Sequence, residues 1–213
     1  MTDRSLQPWL VAVLAAALFI PLFIVRGIGA FDFWWWMSAD IAVLLILTAT
    51  IDRRQLAAIA ADIIDRPAVK IGVGLLAAVG LYAVFFAGNL LARRILPFAG
   101  AGISRVYGFK TGASPLRVIF LMALLIGPGE ELFWRGYLQR NFQDRYGGFA
   151  GFLLATGLYA LVHVGSGNPV LVLAAAVCGL FWGYLYLRTK SILLVLISHT
   201  IWDLAVFILF PFA

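Results

Sequence analysis

Residues 192–210, ILLVLISHTIWDLAVFILF, decide how this chain is read. Nineteen residues long and almost wholly apolar, the stretch approaches the length of about 20 residues that a helix needs to cross a bilayer. Its ionisable groups, His199 and Asp203, stand four apart and share one face of such a helix. A polar pair inside a span faces the interior of a helix bundle or a wet cavity, because lipid offers it no partner.

Comparable apolar runs lie at 9–25, 33–51, 71–91, 116–142, 149–164 and 170–187. With 63% of residues hydrophobic and 12% charged, they exclude a soluble globule built on one core. The expected fold is all-α: a polytopic transmembrane helix bundle of about seven spans, one membrane domain over 1–213, multi-pass in the cell membrane. The first run reads as a retained span, because it is long for a signal sequence and no small-residue cleavage site follows Arg26. Residues 52–66 are polar, yet Leu56, Ile59, Ala60 and Ile63 fall on one side at helical spacing, which predicts an amphipathic helix at the membrane surface. Phe33, Trp34, Trp35 and Trp36 read as an interfacial aromatic belt. The segment 92–115 is too polar to span, and reads either as a gate over a site or as a plain exposed loop. Gly147 and Gly151, like Gly179 and Gly183, are spaced to let helices approach closely. Cys178 stands in an apolar run with no polar neighbour to activate it.

The net charge of +6 does not indicate a nucleic-acid partner, because the cations gather in the joints between spans. With the N-terminus inside, the inner joints hold Arg4, Arg53, Arg54, Arg66, Lys70, Arg140, Arg145, Arg188 and Lys190. The outer joints hold Arg26, Arg93, Arg94, Arg105, Lys110 and Arg117.

The only two glutamates and two histidines of the chain all lie in apolar surroundings. Glu130 and Glu131 follow Ile126-Gly127-Pro128-Gly129, where the proline predicts a bend or restart of the span with the carboxylates in the first turn after it. Arg135 lies four residues after Glu131 and is placed to pair with it, while Glu130, rotated by about 100°, faces another neighbour. Tyr159 precedes His163 by the same spacing. Each charged group at mid-bilayer costs about 2.5–3.5 kcal/mol, whereas an interhelical hydrogen bond returns about 0.6 kcal/mol, so structural glue is a poor account of the set. The residue types suit amide hydrolysis: a carboxylate to take a proton from water, one histidine to orient that water or bind a metal, another to stabilise an oxyanion. No G-x-S-x-G elbow is present, which leaves water as the nucleophile.

Glu130-Glu131-x-x-x-Arg135, Tyr159-x-x-x-His163 and His199-x-x-x-Asp203, in this order over 116–210, resemble the CPBP family of intramembrane proteases, which includes the CAAX prenyl endopeptidases and bacteriocin-processing enzymes. The resemblance implies a catalytic core at 116–210, with Glu130 activating water, Glu131 and Arg135 supporting it, and His163 holding the water. His199 and Asp203 would stabilise an oxyanion or bind a metal. The family often has phenylalanine where this chain has Tyr159 and asparagine where it has Asp203. An ionised aspartate cannot donate to an oxyanion, so Asp203 instead orients His199 or ligates a metal. Glu130, His163, His199 and Asp203 can form a nitrogen and oxygen set for zinc, although the short H-E-x-x-H spacing is absent. Filling every ligand position would leave no separate general base, which favours metal-free chemistry without assigning any cofactor. The expected partners are the lipid bilayer and a membrane-anchored protein or peptide substrate. Two other functions fit the same spans: an inactive immunity or scaffold protein of this fold, and a proton-coupled transporter, although paired broken helices in two related halves are not visible.

Overall fold

The computed structural model describes residues 7–212, so Arg4, counted above among the inner charges, lies outside the described residues. Helix α1 (Gln7–Val25) ends at a two-stranded antiparallel hairpin, β1 (Gly27–Ile28) and β2 (Phe31–Asp32). Asp32 then caps α2 (Phe33–Ile51), its carboxylate accepting from the Trp35 N–H. Asp52 closes α2 and caps α3 (Arg53–Ile64) in the same manner, through the Gln55 N–H. Pro67, its φ already suited to a first turn, opens the long helix α4 (Pro67–Ile95). After a short α5 (Ala99–Tyr107) come α6 (Pro115–Tyr146), α7 (Gly148–Val162), α8 (Pro169–Thr189) and α9 (Ile192–Leu209). Asn168 caps α8 and Ser191 caps α9, each through its side-chain oxygen.

Six of these helical segments are long and apolar enough to cross a membrane, and a seventh crossing is made if Ala99–Lys110 and Pro115–Tyr146, which meet at 94°, form one broken span. The all-α polytopic expectation therefore holds, and α2 has the boundaries read from the sequence. Helix α3 is helical as expected, with Leu56, Ile63 and Ile64 exposed along its apolar side. Ile59 packs against the cluster of Tyr186, Ile192 and Val195, and polar contacts tie the helix further to the bundle. Buried Gln55 donates to the Leu132 carbonyl at 2.9 Å, and Asp62 accepts from Ser191 Oγ and the Leu193 N–H at the start of α9.

Four details differ from the sequence reading. Pro128 does not break its span. Upstream of it, Met122–Ile126 widens into a π-helical turn in which the Gly127 N–H reaches back to the Met122 carbonyl, and the widened turn accommodates the ring and missing N–H that would disrupt an α-helix. Glu130 and Glu131 thus lie inside a continuous helix, not at a helix start with free N–H groups. The sharp bend falls instead between Lys110 and Pro115, around Gly112 at φ +80°.

The segment 92–115 is largely helical. Its α5 lies against the start of α8 because Gly102 has no side chain: a Cβ there would come within 2.5 Å of Val170 Cγ2, and Asn168 Nδ2 donates to the Gly102 carbonyl. Tyr107 and Lys110 reach across to α9, donating to the Val206 and Phe207 carbonyls of its π-helical end (Ala205–Leu209).

Within the aromatic cluster, Trp35 is exposed, as a belt residue is, with the Arg117 guanidinium over its ring. Phe33 and Trp34 turn inward. Phe33 stacks on Phe109 and Trp34 donates to the Phe109 carbonyl. Of the glycine pairs, Gly179 and Gly183 do allow α8 to lie on Thr156, Tyr159 and Phe152 of α7. Gly151 rests directly on the Phe142–Gln143 backbone, whereas Gly147 meets nothing and serves the turn through its φ of +90°.

Gly127 and Gly129 set the approach of two further helices to the glutamates. A Cβ at Gly127 would stand 3.0 Å from Thr200 Oγ1 on α9, and one at Gly129 would overlap the Ile41 side chain on α2. Gly129→Ala is therefore expected to lower stability by about 1–3 kcal/mol, the usual cost of overpacking a filled interior. Thermal unfolding in detergent reads this as a lowered transition, and an unchanged one would contradict the packing described here.

Candidate active site

The three motif pairs come from α6, from the α7 end and from α9, and they meet around one cavity of about 320 Å³. Glu130, Tyr159, His163, His199 and Asp203 all line it, set in a mostly apolar wall to which Phe33 and Trp34 of α2 and Phe85 of α4 contribute. All five polar residues are more than nine-tenths buried.

Glu131 and Arg135 form the expected pair, with Arg135 Nη1 2.8 Å from Glu131 Oε1. The same oxygen receives His199 Nδ1 at 2.7 Å. An ionised carboxylate only accepts, so Nδ1 carries the hydrogen and His199 presents Nε2 to its other neighbours. These are Asp203 Oδ2 at 3.4 Å and Glu130 Oε2 at 3.8 Å. Glu131 therefore has two contacts, one with a cation and one with the imidazole. Only the first is visible as a sequence spacing.

Glu130 points to different neighbours, as its rotation on the helix predicts. Its Oε2 accepts from the Tyr159 hydroxyl at 3.1 Å, a contact that phenylalanine at this position would not make. The Arg135 guanidinium lies over the Tyr159 ring at 4.9 Å, so Tyr159 touches both the free and the paired half of the α6 motif.

His163 sits where α7 tightens into a 3₁₀ turn, His163–Ser166. Its Nδ1 lies 2.8 Å from the Tyr159 carbonyl, which can only accept, so Nδ1 holds the proton and Nε2 keeps a free lone pair. The Phe23 and Tyr159 rings lie at 4.7 and 5.0 Å from the imidazole. Gly165 lets the α1 backbone approach this turn, since a Cβ there would meet the Ile20 carbonyl oxygen at 2.5 Å.

One residue of this neighbourhood carries no signal in the sequence, and another, Cys178, is visible there only as a thiol in an apolar run. Trp182 of α8 lies flat on the His199 ring at 3.7 Å, a contact across 17 positions and two helices that no local spacing reveals. Cys178, one turn earlier on α8, is a buried free thiol in the cavity wall.

The donor set tests the possibility of a metal. Among the described residues, no three of His, Cys, Asp and Glu converge in a way that could hold an ion. The Nδ1 contacts of His199 with Glu131 and of His163 with a carbonyl do not bear on this, since a metal-bound imidazole makes the same contacts and both leave Nε2 open. With no three donors converged, Glu130, His163, His199 and Asp203 do not fit a zinc site in this arrangement.

A helix bundle able to cross the bilayer several times, with carboxylates and imidazoles gathered at one buried cavity, has the features of an integral membrane protein. Residues 112–205 match the family model described as Type II CAAX prenyl endopeptidase Rce1-like, in agreement with the CPBP resemblance of the three motifs. No curated protein and no solved structure gives a significant match to the chain.

Proposed function

We propose that the protein is an intramembrane endopeptidase of the cell membrane that hydrolyses a peptide bond of a membrane-associated protein or peptide, using water activated by Glu130, with 116–210 as its catalytic core. The observation that carries this reading is the convergence of Glu130, His163, His199 and Asp203 on one apolar cavity. Glu130, steadied by the Tyr159 hydroxyl, takes a proton from water. The bare Nε2 of His163 accepts the other water hydrogen and aims the oxygen at the carbonyl carbon. Attack gives a tetrahedral intermediate, and the proton held by Glu130 passes to the leaving amine as the C–N bond breaks.

Protonated at Nε2, His199 donates to the oxyanion, a role that Asp203 cannot take while ionised. Asp203 aligns that nitrogen, and Glu131 holds the opposite one. Water-excluding walls strengthen each of these interactions relative to bulk solvent.

The test is an assay of the protein, purified in detergent, against a panel of prenylated and unprenylated membrane peptides, with products identified by mass spectrometry. Cleavage at a defined peptide bond, persisting after chelator treatment, is the expected result. A protein that cleaves none of the panel would favour the scaffold reading. Activity abolished by chelator and restored by zinc would contradict the metal-free mechanism.

A further inference from the structure

We infer that Trp182 is a positioning residue for His199, fixing the plane of the imidazole so that Nε2 faces Glu130 and Asp203. The inference rests on the proposed role of His199 and concerns a residue outside the three motifs. The two rings are nearly parallel, 20° apart with centroids 3.7 Å from each other. Glu131 fixes one end of the imidazole through Nδ1, but a single hydrogen bond leaves the ring free to tilt about it. A flat aromatic face against the imidazole removes that freedom. The same face favours the ring when it carries positive charge, through the negative face of the indole π-system.

Trp182 is itself held on every side. It is fully buried, and its Nε1 donates to Ser198 Oγ at 3.2 Å, beside His199 in the chain. The indole edge meets Trp202 at 5.5 Å, and the Arg135 guanidinium stands 5.8 Å from the ring centre. Gly179 and Gly183, on either side of it on α8, keep that helix close to α7. Their carbonyls accept from Thr156 Oγ1 and from Gln139 Nε2, at 3.1 and 2.7 Å. The stack thus rests on a part of the bundle that cannot shift without breaking buried hydrogen bonds.

Trp182→Leu removes the aromatic face, Trp182→Phe keeps it, and Trp182→Met replaces Leu if that variant does not fold. In the peptide assay Trp182→Leu is expected to lower kcat by about tenfold to a hundredfold with KM within about twofold, as misplacement of a reacting group does. Trp182→Phe should stay within about threefold of wild type, the conservative ring rescuing the rate. Equal losses in the Leu and Phe variants, tracking their thermal stability, would reduce Trp182 to a packing residue and overturn the inference.

A second readout does not depend on turnover. The chain has only two histidines, so carbethoxylation by diethyl pyrocarbonate, followed by mass spectrometry, reports on each separately. His199 should react several-fold faster in Trp182→Leu or Trp182→Met than in wild type or Trp182→Phe, with His163 constant as the internal reference. The same His199 rate in all forms would overturn the inference. If the wild type cleaves no peptide, the proposed function fails while this ratio still decides whether the indole shields and fixes the imidazole.

Discussion

Arg135→Leu is expected to destabilise the protein by about 3–5 kcal/mol, the cost of leaving one member of a buried ion pair without the other. Glu131 is completely buried and Arg135 is 2% exposed, so water cannot replace the lost partner. Glu131 Oε2 already lacks a hydrogen-bond partner, which concentrates the burden on Oε1 and its two contacts. Losing the guanidinium also removes the cation over Tyr159. The double variant Glu131→Leu/Arg135→Leu is expected to regain much of that stability, since apolar side chains can replace a buried pair at little cost. It should nevertheless be inactive, because His199 then has no acceptor at Nδ1. Thermal unfolding in detergent and the peptide assay, read together, separate the two roles of Glu131. An Arg135→Leu variant as stable as wild type would show that the pair carries no such burden.

The parts of this structure that were legible in the sequence are those governed by local rules. Run length and apolarity give the spans, to the residue for α2, because a bilayer demands a minimum length of apolar helix. Four-residue spacing gives the Glu131–Arg135 and His199–Asp203 contacts, because helical geometry brings such residues together. Pro128 departs from expectation because the rule for proline in an α-helix does not foresee a π-turn upstream that absorbs it. The helix in 92–115 is hidden in the sequence because glycine and charge, which signal a loop, here serve a close approach to α8 and hydrogen bonds to α9. The contact between Glu131 and His199 spans 68 positions, and the Trp182 stack joins two helices. Such contacts follow only from the way the helices pack.

Glu130→Gln tests the proposed role of Glu130 most directly, because it keeps the shape of the side chain and its contact with Tyr159 while removing the base. This variant is expected to be folded, with the thermal stability of wild type and a rate of peptide cleavage lower by about 10²–10⁴-fold, the usual contribution of general base catalysis. Purified wild type and Glu130→Gln are to be compared side by side on the same membrane peptide, by mass spectrometry of the products. Cleavage by the wild type that is all but absent in Glu130→Gln is the predicted result, and equal cleavage by both would contradict the assignment of Glu130 as the group that activates water.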